Sequence, residues 1–250
     1  MKKDSVTPNL LPDTRILCDT HVHTVASGHA FSTVTEISKE ASEKGLGLVA
    51  ITDHGPALPG GAHLYHFFNL RVLPKVMNGV RILKGAEANI ISPDGKIDLD
   101  EQVISELDII LVALHWNTGM DGATKEVLTD ALIKSMEKYP IKVLAHLGNP
   151  LFPLDFDKVV KRAKELNVAI EFNNSSYLST TSRSGSYELD VELASFVKQH
   201  GAQVVIGSDA HIAQDVGRFD SAIELIERAG IDEERILCTS VEKLLDFLRK

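Results

Sequence analysis

Seven short apolar runs, set apart by stretches of helical periodicity, constrain this chain more than any other feature. They cover residues 17–24, 46–52, 81–88, 108–114, 141–145, 168–172 and 203–206. Each is short and rich in β-branched side chains, so each reads as a strand. Helical patterns fill the intervals at 125–138, 156–166, 188–200 and 221–229, and residues 240–250 read as a final amphipathic helix. An earlier helix carries Val34, Ile37 and Ala41, with Ser32 or Thr33 as its N-cap and Gly45 closing it. A polar leader runs through Asp13. Strands that are apolar along their whole length and alternate with helices belong to a parallel sheet buried on both faces.

The residues at the strand ends carry the chemistry. His21, Asp53, Glu87, His115, His146, Asn173 and Asp209 recur at intervals of about 27 to 36 residues, the length of one βα unit. An open sheet binds ligands mainly at one crevice, whereas a βα barrel gathers all its carboxyl strand ends on one face. Ligand types on nearly every strand therefore predict an α/β fold with a closed or nearly closed seven-stranded barrel. No linker or change of composition divides the chain, which predicts one domain over 1–250.

Within that pattern His21 and His23 lie two residues apart and face one way along a strand, a natural half of a metal site. Asp209 and His211 repeat the spacing at the last strand. His54 follows Asp53 at the end of the second strand, and His29 lies in the loop after the first. Glu87 sits among Gly85, Ala86 and Ala88, and burying it unpaired would be costly, so it requires a metal or a cationic partner. Singly, each histidine is as well explained by a hydrogen-bonded core position or a capped turn. Seven histidines and two carboxylates at one end of successive strands are not. His200, beside Gly201 at a helix end, is the expected exception, a favourable cation at a helix C-terminus.

Composition narrows the function. No apolar run approaches the roughly 20 residues that span a bilayer. Cys18 and Cys238 lie in separate apolar segments and read as reduced packing residues, which suits a cytoplasmic protein. A formal net charge of -9 argues against a nonspecific nucleic-acid surface, yet it permits a small anionic substrate once bound cations reverse the local sign. No heptad pattern declares an oligomeric state.

The motifs together resemble one family. They are Asp19-Thr20-His21-Val22-His23-Thr24, Ser27-Gly28-His29-Ala30-Phe31-Ser32-Thr33, Ile51-Thr52-Asp53-His54-Gly55-Pro56, Gly85-Ala86-Glu87-Ala88-Asn89-Ile90, His146-Leu147-Gly148-Asn149-Pro150, Glu171-Phe172-Asn173-Asn174-Ser175-Ser176 and Gly207-Ser208-Asp209-Ala210-His211. The sequence resembles the PHP (polymerase and histidinol phosphatase) family, in its bacterial YcdX-type phosphatase branch. The resemblance implies a distorted seven-stranded, TIM-barrel-like fold and a trinuclear metal centre, commonly zinc, with manganese or iron in some members. Carried over by position, it puts His21, His23, Glu87 and Asp209 on one metal. Glu87 then bridges to a second held by His115 and His146, and His29, His54 and His211 hold the third. The one local departure is Ala145-His146-Leu147, where Ser-His-Pro is more usual.

The expected activity is a metal-dependent phosphoesterase acting on small phosphomonoesters, with a hydroxide bridging two ions as nucleophile. Glu87 is central to it, and Asp53 is a candidate for fixing a neighbouring imidazole. His63 and His66, in a glycine-containing segment read as a loop or lid over 59–70, are candidates for substrate contact. So are Arg183, within the serine-rich segment 175–187, and Arg218. Glu171 either faces the site or ends a packed layer. No residue declares itself the general acid. Three alternatives stand beside this reading: an exonuclease-like phosphodiesterase, an amidohydrolase, and a non-catalytic metal-binding regulatory protein. The second lacks the lysine expected after the fourth strand.

Overall fold

In a computed structural model describing residues 15–250, the strands are β1 (Cys18–Val22), β2 (Leu48–Ile51), β3 (Val76–Met77), β4 (Val80–Asn89), β5 (Ile109–Ala113), β6 (Val143–Leu144), β7 (Ala169–Asn173) and β8 (Val204–Gly207). Seven of them run parallel in the order β1-β2-β4-β5-β6-β7-β8, and β3 adds a short antiparallel pair to β4. Past the end of β8 the sheet turns back onto β1. Asp209 N–H donates to the His21 carbonyl and His23 N–H to the Ala210 carbonyl, each at 2.9 Å. A parallel bridge joins Val22 to Ala210. The barrel is thus nearly closed, joined by a few links where the other seams have ladders. The leader through Asp13 lies outside the described residues.

Eight helices pack around the barrel: α1 (Val34–Glu43), α2 (Leu64–Asn69), α3 (Glu101–Ile104), α4 (Lys125–Lys138), α5 (Phe156–Glu165), α6 (Ser186–His200), α7 (Asp220–Ala229) and α8 (Val241–Leu248). Of the two expected caps, Ser32 and Thr33, Thr33 is the one that caps α1. Its hydroxyl accepts from Glu36 N–H while Glu36 accepts from Thr33 N–H at 2.7 Å, a complete capping box. The side chains of Thr124, Asp155 and Ser240 cap α4, α5 and α8 by accepting from the N–H groups of Val127, Lys158 and Lys243. The segment 59–70 is a correction, because its second half forms α2 and is not a continuous loop. Leu48–Ile51, Ile109–Ala113 and Val204–Gly207 are buried at every position, as strands between barrel interior and helix layer must be. Among the described residues no helix is long and apolar enough to cross a membrane.

Candidate metal centre

The first histidine pair is shaped by an irregularity in β1. Asp19 pairs with Val49 but Val22 pairs with Ile51, so β1 carries one extra residue between them. Asp19 holds that kink: one carboxylate oxygen accepts from the N–H groups of His21 (3.3 Å) and Ser208 (3.1 Å), the other from Gly217 (2.9 Å). Both imidazoles then face the interior, ring centroids 5.0 Å apart.

Glu87, fully buried near the end of β4, is the hub. Its Oε1 lies 2.7 Å from His146 Nε2 and 3.3 Å from His115 Nε2. Its Oε2 lies 2.6 Å from His54 Nδ1, 3.4 Å from His21 Nε2 and 3.6 Å from His23 Nε2. Asp209 Oδ1 adds contacts of 3.0 Å to His23 Nε2 and 3.5 Å to His211 Nδ1. The His29 ring lies 5.0 Å from that of His54 and 4.7 Å from that of His211. All nine expected ligand residues therefore meet in one place. Three trios among them (His23, His54, His211; His21, His23, Glu87; His54, Glu87, His115) each bring their donor atoms within 4.8 Å of one another.

The hydrogen bonds behind the rings decide which nitrogen carries the proton. His21 Nδ1–H donates to Glu171 Oε1 at 2.7 Å, and His115 Nδ1–H to the side-chain Oδ1 of Asn89 at 2.7 Å. His23 Nδ1 lies 3.3 Å from Ser27 Oγ, whose own proton goes to Asp53 Oδ1 at 2.7 Å. With Nδ1 engaged, each ring turns Nε2 inward as the atom left to hold a cation. Those three Nε2 atoms, His54 Nδ1 and Glu87 Oε2 are buried without a hydrogen-bond partner. Buried acceptors aimed at one another repel, and a divalent cation among them removes the conflict. Nitrogen and oxygen donors without thiolate suit zinc, manganese or iron, so the residues present fit such ions.

The local field agrees. Burial alone would raise the Glu87 carboxyl, but His115, His21 and His54 hold it well below the usual carboxylate range. Asp209 is held down likewise by His21 and Arg183. Burial pulls His21 toward neutrality, but Glu171, Glu87 and Asp209 overcome it and hold its proton affinity well above the ordinary value, so a cation on Nε2 would displace a proton there. Burial, with His54 and His211 nearby, lowers His29 to about 4. Two of the nine residues also sit in left-handed backbone, His146 at φ 33° and Asp209 at φ 52°. Such strain costs about 1–3 kcal/mol per residue and persists where neighbours enforce it. His146 N–H donates to Glu171 Oε2 at 3.0 Å, which is that enforcement.

The metal-centre residues open onto a cleft of about 690 Å³. Arg183 lines it, donating to Asp209 and, at 3.0 Å, to Ser176 Oγ. Other substrate-contact candidates lie elsewhere. His63 N-caps α2 and faces a separate depression beside Tyr65 and Phe68. His66 Nε2 lies 3.0 Å from Asp53 Oδ2, behind the histidines. Arg218 is half-exposed, pairs with Asp215 at 3.3 Å and lines no part of the cleft. Asp53 is fully buried, bonded to Ser27 and Thr24, and reaches His23 only through Ser27. Glu171 faces the site, holding both His21 and the His146 backbone. His200 pairs with Asp157 at 2.7 Å, remote from the centre. Sequence reasoning gave no role to Asn89, Ser27 or Asp98, the last of which accepts from Asn89 N–H at 2.8 Å and from its side chain. The only signal for them is position, Asn89 two residues beyond Glu87 on the same strand face.

Residues 19–245 match the PHP domain family. The chain belongs to that family. Among relatives of this PHP protein are proteins named probable phosphatase. The one from Caldanaerobacter subterraneus subsp. tengcongensis is 47% identical over 94% of this chain and 92% of its own length. That from Shewanella frigidimarina is 45% identical over 94% and 93%. Among solved structures, the PHP chain superposes on histidinol phosphate phosphatase from Lactococcus lactis, whose crystal structure holds zinc, L-histidinol and phosphate. The match has a TM-score of 0.57 at 16% identity and covers 87% of this chain and 95% of the other, a likeness of fold.

Proposed function

We propose that this chain is a single-domain cytoplasmic phosphatase of small phosphomonoesters, working with three divalent ions, zinc in the first instance. The observation that carries the reading is Glu87, whose two oxygens face different histidine sets, His115 and His146 on one side and His21, His23 and His54 on the other. One carboxylate so placed is suited to join two ions. When bound, such ions supply the acidity that ionises a water near neutral pH and neutralise phosphoryl oxygens. The protein's own part is positional. Glu171, Asn89 and the Ser27–Asp53 pair fix the imidazole tautomers. Arg183 stands at the cleft with its guanidinium on Asp209, where it can orient a phosphoryl oxygen. Both cysteines are free buried thiols, and burial pushes Cys238 up to about 12, in keeping with a reducing compartment.

Steady-state kinetics on matched monoester and diester substrates, with labelled single-stranded DNA, test the reading. The monoester is expected to show the highest kcat/KM, because a polyanion must also approach a protein of net charge -9. Faster turnover of the diester or the DNA would move the assignment to the exonuclease-like alternative. Elemental analysis of loaded protein is expected to give about three ions per chain, and one ion would remove the trinuclear claim.

A further inference from the structure

Beyond the ligand side chains, the cleft has a chemistry of its own. Trp116 directly follows His115, lines the cleft and is 69% exposed. Leu151 (61% exposed), Leu58 and Pro59 line it too. Apolar side chains gathered in this way at the mouth of a site, an aromatic among them, form the kind of exposed patch that marks a ligand-binding groove. The backbone that carries the indole is held in place by its turn. Thr118 Oγ1 donates to the His115 carbonyl at 2.8 Å, and Asn117, in left-handed backbone at φ 64°, donates its N–H to Asp121 Oδ1 at 2.8 Å. A surface fixed in advance loses little entropy when a ligand settles on it.

Neutral polar side chains make up much of the remaining lining, with hydroxyls from Ser175, Thr180, Thr181 and Ser182 and the amide of Asn149. Outside the metal-ligand candidates, Arg183 is the charged side chain in the cleft, and it is already paired with Asp209. A leaving group with its own ammonium or second phosphate would find no free counter-charge there. The volume of about 690 Å³ lies within the range for ligands well beyond the size of phosphate. Building on the phosphatase reading, we propose that the substrate's alcohol carries a flat, uncharged ring that stacks on Trp116. Its hydroxyls then meet the Thr180–Ser182 segment.

Adenosine 5′-monophosphate and ribose 5-phosphate are the matched probes, sharing the ester and differing by the ring. The chain contains one tryptophan, so its fluorescence reports on this position alone. On rapid mixing with metal-loaded protein, the adenosine ester is expected to quench saturably, with inorganic phosphate competing, while ribose 5-phosphate quenches far less. In turnover, KM for the adenosine ester is expected to be about tenfold lower than for ribose 5-phosphate. Trp116→Ala should bring that ratio close to one through KM, and Trp116→Phe should keep most of it. Replacing so exposed a side chain leaves the core untouched. Equal quenching by both probes, no quenching by the adenosine ester, or a KM ratio indifferent to Trp116→Ala would overturn the proposal. If neither ester is hydrolysed, the phosphatase reading falls, and the quenching comparison alone decides the stacking.

Discussion

His21 shows how much of this site depends on residues that touch no substrate. Its Nε2 is turned inward because Nδ1–H donates to Glu171, and the same carboxylate anchors the strained His146 backbone. Glu171→Gln keeps the shape but removes the charge. Metal affinity is expected to fall 10- to 100-fold, the usual cost of losing such a partner. Competition with a fluorescent chelator measures this, and unchanged affinity would remove Glu171 from its positioning role. A second buried acid behaves differently. Asp190 accepts from Tyr177 Oη at 2.8 Å, faces Glu171 and Arg183 through space, and has one oxygen without a partner. Burial raises it from 3.8 to about 7. The folded chain therefore holds a proton that the unfolded chain releases. The resulting stability is complete below the unfolded pKa of 3.8 and is lost as pH rises through 7. Its ceiling is about 4 kcal/mol. Asp190→Asn is expected to gain stability over wild type as pH goes from 5 to 8, in paired melting curves at equal metal. A difference that stays flat with pH would show that Asp190 is ionised in the folded chain.

At the scale of elements, Gly207 closes β8 against the candidate metal centre. A Cβ there would run into the Glu171 carboxylate and His21 Cβ. Gly207→Ala is expected to cost about 1–3 kcal/mol in stability, as overpacking does. It should also weaken metal binding by pushing Glu171 off His21, read by the same chelator competition. Unaltered affinity would mean that the two side chains yield without losing their bond. The seven barrel strands were legible in the sequence because buried parallel strands are apolar runs of fixed length. Residues 125–138 were legible as α4 because a long helix repeats its pattern several times. By contrast α2, α3 and β3, at six, four and two residues, are too short to show any period. The candidate ligands were legible for the same reason as the strands, since they sit at the strand ends. Asp98 was not. It reaches Asn89 only because the chain folds back through the Ile90–Ile97 bridge, a tertiary contact with no spacing rule. Trp116 was passed over because a single aromatic in a loop has no pattern at all.

Across the whole molecule, the candidate ligands come from β1, β4 and the residues following β1, β2, β5, β6 and β8, so six of the seven barrel strands contribute. β7 joins through Glu171 and Asn173, whose amide donates to Asp209 Oδ2 at 3.3 Å. The weak seam of the barrel, between β8 and β1, is also where His21, His23, Asp209 and His211 meet. Ions at this centre would therefore cross-link the sheet where its backbone ladder is thinnest. Ligands that bind only the folded chain stabilise it by RT ln(1 + [L]/Kd), about 4 kcal/mol at a thousandfold excess over Kd. For a protein of this length that corresponds to roughly 10 °C in Tm. Scanning calorimetry of the metal-loaded protein, with and without chelator, is expected to show a shift of that order. Glu87→Gln should remove much of it, since Glu87 alone faces both histidine sets. His200→Gln should leave it intact, because that side chain pairs with Asp157 on the surface. Equal melting temperatures with and without chelator would show that the nine side chains hold no ion in the folded state. Equal loss in the two variants would take Glu87 out of the bridge.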